Sequence, residues 1–278
     1  MPLLEETGYM PTRKYCDGKE IRAYCGIIAE KYGLHNRALF QASGKVLTWQ
    51  KDHWICGVTI AGKGLPKQDI NFNADFVIIA SGAFTYPKLP DLPGLDSFRG
   101  KMVHCARWDY GTTGGSQEKP VLDKLSDKRV GFIGTGATAV QAVPNVAKYA
   151  KELYVFQRTP SAVDIRGNRE TDPEEWKTKI AAKKGWQAQR ATNHQAFTEN
   201  LPKEQLPNED FVDDGWTNMP SIAGAYGQPS SFTADEVPQF LDYMNELDAP
   251  RSERVRQRAL DVVKDEKTAK VRWTTMHI

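Results

Sequence analysis

Gly134, Gly136 and Ala139 follow the apolar run Arg129-Val130-Gly131-Phe132-Ile133 in the order Gly-x-Gly-x-x-Ala. A glycine at 134 lets the chain turn sharply, and Gly136 carries no Cβ to hold a pyrophosphate away from the backbone. Ala139 is small enough for a following helix to pack close to the strand. Val140, Val143, Val146 and Ala147 then share one face at helical spacing, and a helix starting there would offer free N–H groups and a positive dipole end to phosphates. Pro144 should kink that helix without ending it. A second strand is expected at Leu153–Gln157 and runs into Arg158-Thr159. An acid near this point suits a ribose 2′-hydroxyl, whereas arginine suits a 2′-phosphate. Arg158 therefore points to NADP(H), the alternative being an ordinary solvated charge at a strand end.

The rest of the chain must position that unit. Its 278 residues, 40% hydrophobic and 26% charged, describe an ordinary globular protein of one large or two small domains. A net charge of +2 without a basic tract argues against nucleic-acid or membrane surfaces. The apolar runs are strand-sized, so no transmembrane helix is expected, and Met1–Thr12 has no apolar core of the secretory type. Cys16, Cys25, Cys56 and Cys105 have neither disulfide-framework nor zinc spacing and read as reduced thiols of a cytoplasmic protein. The five histidines, His35, His53, His104, His194 and His277, form no ligand pattern, so no metal is expected.

Read in order, Asp17 with Glu20 forms a capping box opening a helix to about Tyr32, with Ile21, Tyr24, Ile28 and Tyr32 inward. Strands follow at Lys45–Gln50 and Trp54–Ile60. A polar loop, Gly62–Asn73, leads to Phe76-Val77-Ile78-Ile79-Ala80, which reads as a strand buried on both faces. The proline-rich stretch Tyr86–Gly94 reads as an interdomain linker. Beyond Thr159 the chain turns polar, with helices expected at Pro173–Glu199 and Thr233–Lys264. The domains divide as 1–94, holding a helix, a β-meander, a closing strand and the linker, and 95–278, with a helical insertion at about 170–265.

The segment Phe98–Asp109 fits Phe-x-Gly-x-x-x-His-x-x-x-Trp-Pro/Asp at Phe98, Gly100, His104, Trp108 and Asp109. It resembles the fingerprint of the Baeyer–Villiger monooxygenases, class B flavoproteins related to the flavin-containing monooxygenases. Ala80-Ser81-Gly82 with Pro87 and Pro90, the opening Leu4–Pro11, and Phe156–Ser161 are similar to that family as well. The resemblance implies an α/β fold with two Rossmann-like dinucleotide-binding domains, one for FAD and one for NADPH, and a mostly helical insertion. It also implies a reaction in which NADPH, FAD and O₂ place one oxygen next to a ketone carbonyl, giving an ester or lactone. Gly134, Thr135, Gly136, Ala137 and Thr138 would cradle the pyrophosphate with Gln141 close by, and Arg158 with Thr159 would hold the 2′-phosphate. His104, Trp108 and Asp109 would have a conformational role.

The sequence also departs from that family. Its Gly-x-Gly-x-x-Gly turn for FAD would fall before Met1, and its catalytic arginine would follow the helical insertion, where only Arg272 occurs in the final segment. The FAD site is thus expected to be incomplete here, the enzyme being cut at both ends. The alternative is a non-catalytic NADP(H)-binding fragment or a degenerate copy.

Overall fold

The structure is a computed structural model that describes residues 1–82, 84, 86–158, 161–199, 201, 203–221 and 233–265. Backbone contacts divide the chain into two compact units, one of residues 24–109 and one of residues 1–23 with 110 onward. Helices α1 (Leu4–Thr7) and α2 (Gly18–Lys31) open the chain. Asp17 accepts the Glu20 N–H at 2.8 Å, which is half of the expected capping box. The Glu20 carboxylate does not reach back to Asp17; it accepts from the Tyr9 hydroxyl at 2.9 Å, the Thr12 N–H at 2.8 Å and the Thr12 hydroxyl. Of the apolar face expected on α2, Tyr24 is buried, while Ile21 and Tyr32 stay exposed.

The 24–109 unit is built on an antiparallel meander, β1 (Ala42–Trp49), β2 (Trp54–Gly62) and β3 (Leu65–Ala74). Trp49 and Trp54 meet edge to face across the first turn, with centroids 5.3 Å apart. The third strand corrects the loop expected at Gly62–Asn73. Its polar side chains hid it, but its backbone is in continuous register with β2 from Ile60↔Gln68 to Trp54↔Ala74, and an antiparallel sheet readily leaves one face wet. The strand expected at Phe76–Ala80 is not formed. That run pairs with no strand among the described residues, and Phe76 and Ile78 are 89% and 90% exposed. A strand apolar on both faces needs ladder partners and covering layers that the described residues do not supply.

In the other unit, α3 (Tyr110–Thr113) leads to the parallel pair β4 (Arg129–Ile133) and β5 (Glu152–Phe156), joined through α4 (Ala137–Ala147). This is the strand–turn–helix–strand order the glycine spacing predicts. Pro144 lies inside α4 without ending it, and the Asn145 side-chain amide donates to the Gln141 carbonyl at 2.8 Å one turn back. The expected helical region follows as α5 (Pro173–Glu175), a π-helical turn Trp176–Ile180, α6 (Trp186–Thr198) and α7 (Val237–Val262). Asp172 caps α5 through the N–H groups of Glu174 and Glu175, and Thr233 with Glu236 forms a reciprocal capping box ahead of α7. Arg254 and Arg251 of α7 reach Asp164 at 2.9 and 3.4 Å, and Val255 is buried.

The N-terminal segment, expected with residues 24–94, is tied by backbone to this second unit. Lys14 donates to the Arg169 carbonyl and Thr171 to the Thr12 carbonyl, both at 2.9 Å. Asn168 brackets Tyr15, accepting from its N–H and donating to its carbonyl at 3.1 and 3.2 Å. The Glu5 carboxylate, 180 residues away in sequence, accepts from the Gly185 N–H at 2.5 Å and the Gln187 N–H at 3.3 Å at the start of α6.

Candidate functional site

The glycine turn sits where β4 hands the chain to α4. Gly134 has φ of +102°, a left-handed conformation that a side chain rarely adopts. Its N–H donates to the Phe156 carbonyl at 2.8 Å, extending the β4–β5 ladder by one bond and pinning the turn to the end of β5. Gly136 is the N-cap residue of α4, with extended backbone and no side-chain cap. The N–H groups of the first helical turn have no carbonyl inside the helix to bond, so this end of α4 presents donors and a partial positive charge. A Cβ built on Gly136 would meet nothing within 4 Å. Space above the turn is therefore open to a ligand, and steric crowding within the chain is not what requires glycine there.

Parallel pairing sets where β5 ends. Ile133 opposes Phe156, so the residues just past Phe156 emerge at the same sheet edge as the turn. Arg158 is exposed at that edge, and among the described residues no carboxylate pairs with it. The one acid of β5, Glu152, lies at the opposite end of the strand and accepts from the Tyr154 hydroxyl at 2.8 Å; that bond pushes the Tyr154 phenol up. Thr159 lies outside the described residues. The Thr135 hydroxyl is 3.3 Å from the Ser161 hydroxyl, so the glycine turn is linked to the segment leaving β5. Ser161 closes the family-like run Phe156–Ser161, and its contact with Thr135 is the part that sequence alone does not reveal. Ala137 and Thr138 are exposed on the first turn of α4, and Gln141 donates its side-chain amide to the Ala137 carbonyl at 3.1 Å.

The fingerprint residues belong to the 24–109 unit. His104 is half-buried and caps the short 3₁₀ turn Cys105–Arg107, its Nδ1 accepting from the Ala106 N–H at 3.1 Å. That bond uses the lone pair of an unprotonated nitrogen. Trp108 is half-buried and Asp109 exposed. All four cysteines are free, and burial pushes the Cys16 and Cys105 thiols up. Among the described residues no helix is long and apolar enough to cross a membrane, and no cluster of histidine, cysteine and acidic groups could hold a metal.

Comparison with known proteins bears on what this arrangement is for. The family model described as flavin-binding monooxygenase-like matches residues 10–206. The chain is 46% identical over 276 residues to polycyclic ketone monooxygenase of Thermothelomyces thermophilus, covering 97% of this chain and 42% of that protein. It is also 46% identical over 268 residues to the FAD-binding monooxygenase ausC of Aspergillus calidoustus, covering 95% of this chain and 39% of the relative. The chain thus spans about two-fifths of the length of these relatives. The solved structure of polycyclic ketone monooxygenase superposes with a TM-score of 0.86 over 97% of this chain and 43% of that one. A structure of OTEMO with FAD and NADP superposes with a TM-score of 0.65 at 20% identity, covering 97% of this chain and 48% of its own, a likeness that bears on the fold alone. The glycine turn, the parallel pair behind it and the match over most of the sequence have one account: the chain belongs to the flavin-binding monooxygenase-like family.

Proposed function

We propose that this chain is the NADP(H)-binding part of a Baeyer–Villiger-type flavoprotein. The full enzyme would use NADPH, FAD and O₂ to insert one oxygen next to a ketone carbonyl, giving an ester or lactone. The observation that carries the reading is the edge where the Gly136 turn and Arg158 meet, with open space above the glycine and no acid at the end of β5. The residues fit a 2′-phosphorylated dinucleotide. Gly134, Thr135, Gly136, Ala137 and Thr138 would hold the pyrophosphate against the α4 N-terminus, with Gln141 alongside, and Arg158 with Thr159 would take the 2′-phosphate. The bound nucleotide supplies a hydride. The chain's own contribution is to fix that nucleotide's phosphates, and His104, Trp108 and Asp109 would serve conformationally in the segment joining the two domains. In this reading residues 1–94 contribute to the FAD domain, and 95–278 form the NADPH domain with its insertion at about 170–265.

These residues do not by themselves fit FAD, because no Gly-x-Gly-x-x-Gly motif stands before Gly134 in this chain. A ketone as the small-molecule substrate is supported by the name of a relative, polycyclic ketone monooxygenase. A cytoplasmic location agrees with free thiols throughout.

Calorimetric titration tests the nucleotide reading. NADP⁺ is expected to bind more tightly than NAD⁺, and equal affinities would overturn it. The second reading, a fragment that binds NADP(H) without catalysis, rests on these 278 residues containing no Gly-x-Gly-x-x-Gly motif. It is separated from the first by assaying ester formation from cyclohexanone with NADPH and added FAD. The 278-residue chain alone is expected to give none above background, while an enzyme of the relatives' full length containing it gives product.

A further inference from the structure

Within the unit of residues 1–23 and 110 onward lies a cleft of about 1170 Å³. It is walled by the segment Arg13–Cys16, the π-helical turn Trp176–Ile180, the inner face of α6 and the segment Glu209–Asp213. Helix α6 turns Arg190 and, four residues on, His194 towards it, both half-buried. Desolvation pushes the Arg190 guanidinium down against the pull of Asp210 and Glu175. Neither acid pairs with it. Asp210 accepts from the N–H groups of Val212 and Asp213 at 2.9 Å each, and Glu175 spends both oxygens on Arg169, at 2.6 and 3.0 Å. Among the described residues Arg190 is thus partly desolvated with no carboxylate in direct contact, only the longer-range pull of Asp210 and Glu175, and a ligand carboxylate would complete it.

The wall beside it has its own character. Trp176 and Trp186 both line the cleft and pack edge to face, with centroids 5.2 Å apart and an interplanar angle of 76°. Trp176 opens the π-helical turn, where the Ala181 N–H reaches the Trp176 carbonyl at 2.7 Å across an extra residue. Such turns are rare and recur at functional sites. Indole surface takes a flat apolar body, and the planar guanidinium fork matches a carboxylate through two parallel bonds.

We propose that this cleft binds an organic carboxylate, its ring-bearing apolar body lying on Trp176, which the buried Trp186 backs edge to face, and its carboxylate held by Arg190, with His194 one turn further along α6. The proposal does not depend on the nucleotide reading of the glycine turn. It is tested by calorimetric titration of the full chain with naphthalene-2-carboxylate, naphthalene-2-methanol and inorganic phosphate. The carboxylate should bind saturably at one site, and the uncharged alcohol should bind at least about tenfold more weakly, as expected for loss of a charge-assisted contact. Arg190→Met should weaken the carboxylate by a similar factor with an unchanged thermal midpoint. Arg190→Lys, which keeps the charge but loses the fork, should lie between the two. Independently of any variant, the indole N–H resonances of Trp176 and Trp186 should shift on adding the naphthoate. Equal binding of acid and alcohol, undiminished binding by both Arg190 variants, unmoved indole resonances, or phosphate binding as tightly as the naphthoate would each overturn the proposal. So would stoichiometric displacement of the naphthoate by NADP⁺, which would make the cleft part of the nucleotide site.

Discussion

Gly134 and Gly136 require glycine for different reasons, and the difference is measurable. At φ of +102° Gly134 is conformationally demanding, so Gly134→Ala should cost about 1–3 kcal/mol in chemical denaturation. Gly136 has φ of −71° and open space beyond its missing Cβ. Gly136→Ala should therefore leave stability within about 0.5 kcal/mol while weakening NADP⁺, because the new methyl would enter the proposed phosphate site. Arg158→Ala should lose most of the preference for NADP⁺ over NAD⁺, about 1.5–3 kcal/mol for one charge-assisted contact, and calorimetry reads both changes. Two carboxylates set an acid limb. Burial pulls Asp214 upward, but the Tyr15 hydroxyl at 2.7 Å and the N–H groups of Trp216 and Thr217 hold it below the usual range. The same bond, with burial as the larger cause, pushes Tyr15 up to about 12. Asp164 is likewise raised by burial and brought down further by the Ile165 N–H, Arg254 and Arg251. A lowered folded pKa means stability that is present above the ordinary carboxylate range and lost as pH falls through and beneath it. The melting temperature should drop there, and less steeply in Asp214→Asn and Asp164→Asn.

Helix α6 begins after Gly185, which has no side chain to cap it, and the cap comes instead from Glu5. Glu5→Ala should cost about 1 kcal/mol and speed amide exchange in the first turn of α6 selectively; an unchanged exchange pattern would refute the role. No sequence pattern announces a cap supplied from 180 residues away. What was legible followed from short-range chemistry: the glycine turn, the strands on either side of it, the helix after Asp17 and the long helix after Thr233. The βαβ unit was readable because glycine spacing, apolar run and helical period all agree over a single stretch. Strand β3 was not, since Lys67, Gln68, Asp69 and Asn71 look like a loop and its pairing with β2 alone makes it a strand. Phe76–Ala80 failed in the other direction, as an apolar run specifies a strand only beside partners to bond. Arg158 was legible as the residue that ends the second strand, but its exposure and the Thr135–Ser161 contact needed coordinates, because register decides which residues share an edge.

Across the whole molecule, large apolar side chains stand in water: Phe84 at 96%, Tyr86 and Ile78 at 90%, and Phe76 at 89% exposed. Apolar surface of this kind drives association. The chain should bind a hydrophobic dye and elute in concentration-dependent larger species in size-exclusion chromatography, and a monodisperse monomer that binds no dye would contradict this. The ties from residues 12–15 to 168–171 also bear on the order in which the chain can acquire structure. They make one unit discontinuous, with the whole of 24–109 spliced into its sequence. The meander draws only on residues 42–74, whereas Tyr15 needs a partner more than a hundred and fifty residues later in sequence. Closing so long a loop is slow. A folding stage is therefore expected in which the meander is formed while residues 12–15 are still undocked, and pulse-labelled hydrogen exchange should show β1–β3 protected before the Lys14 and Tyr15 amides.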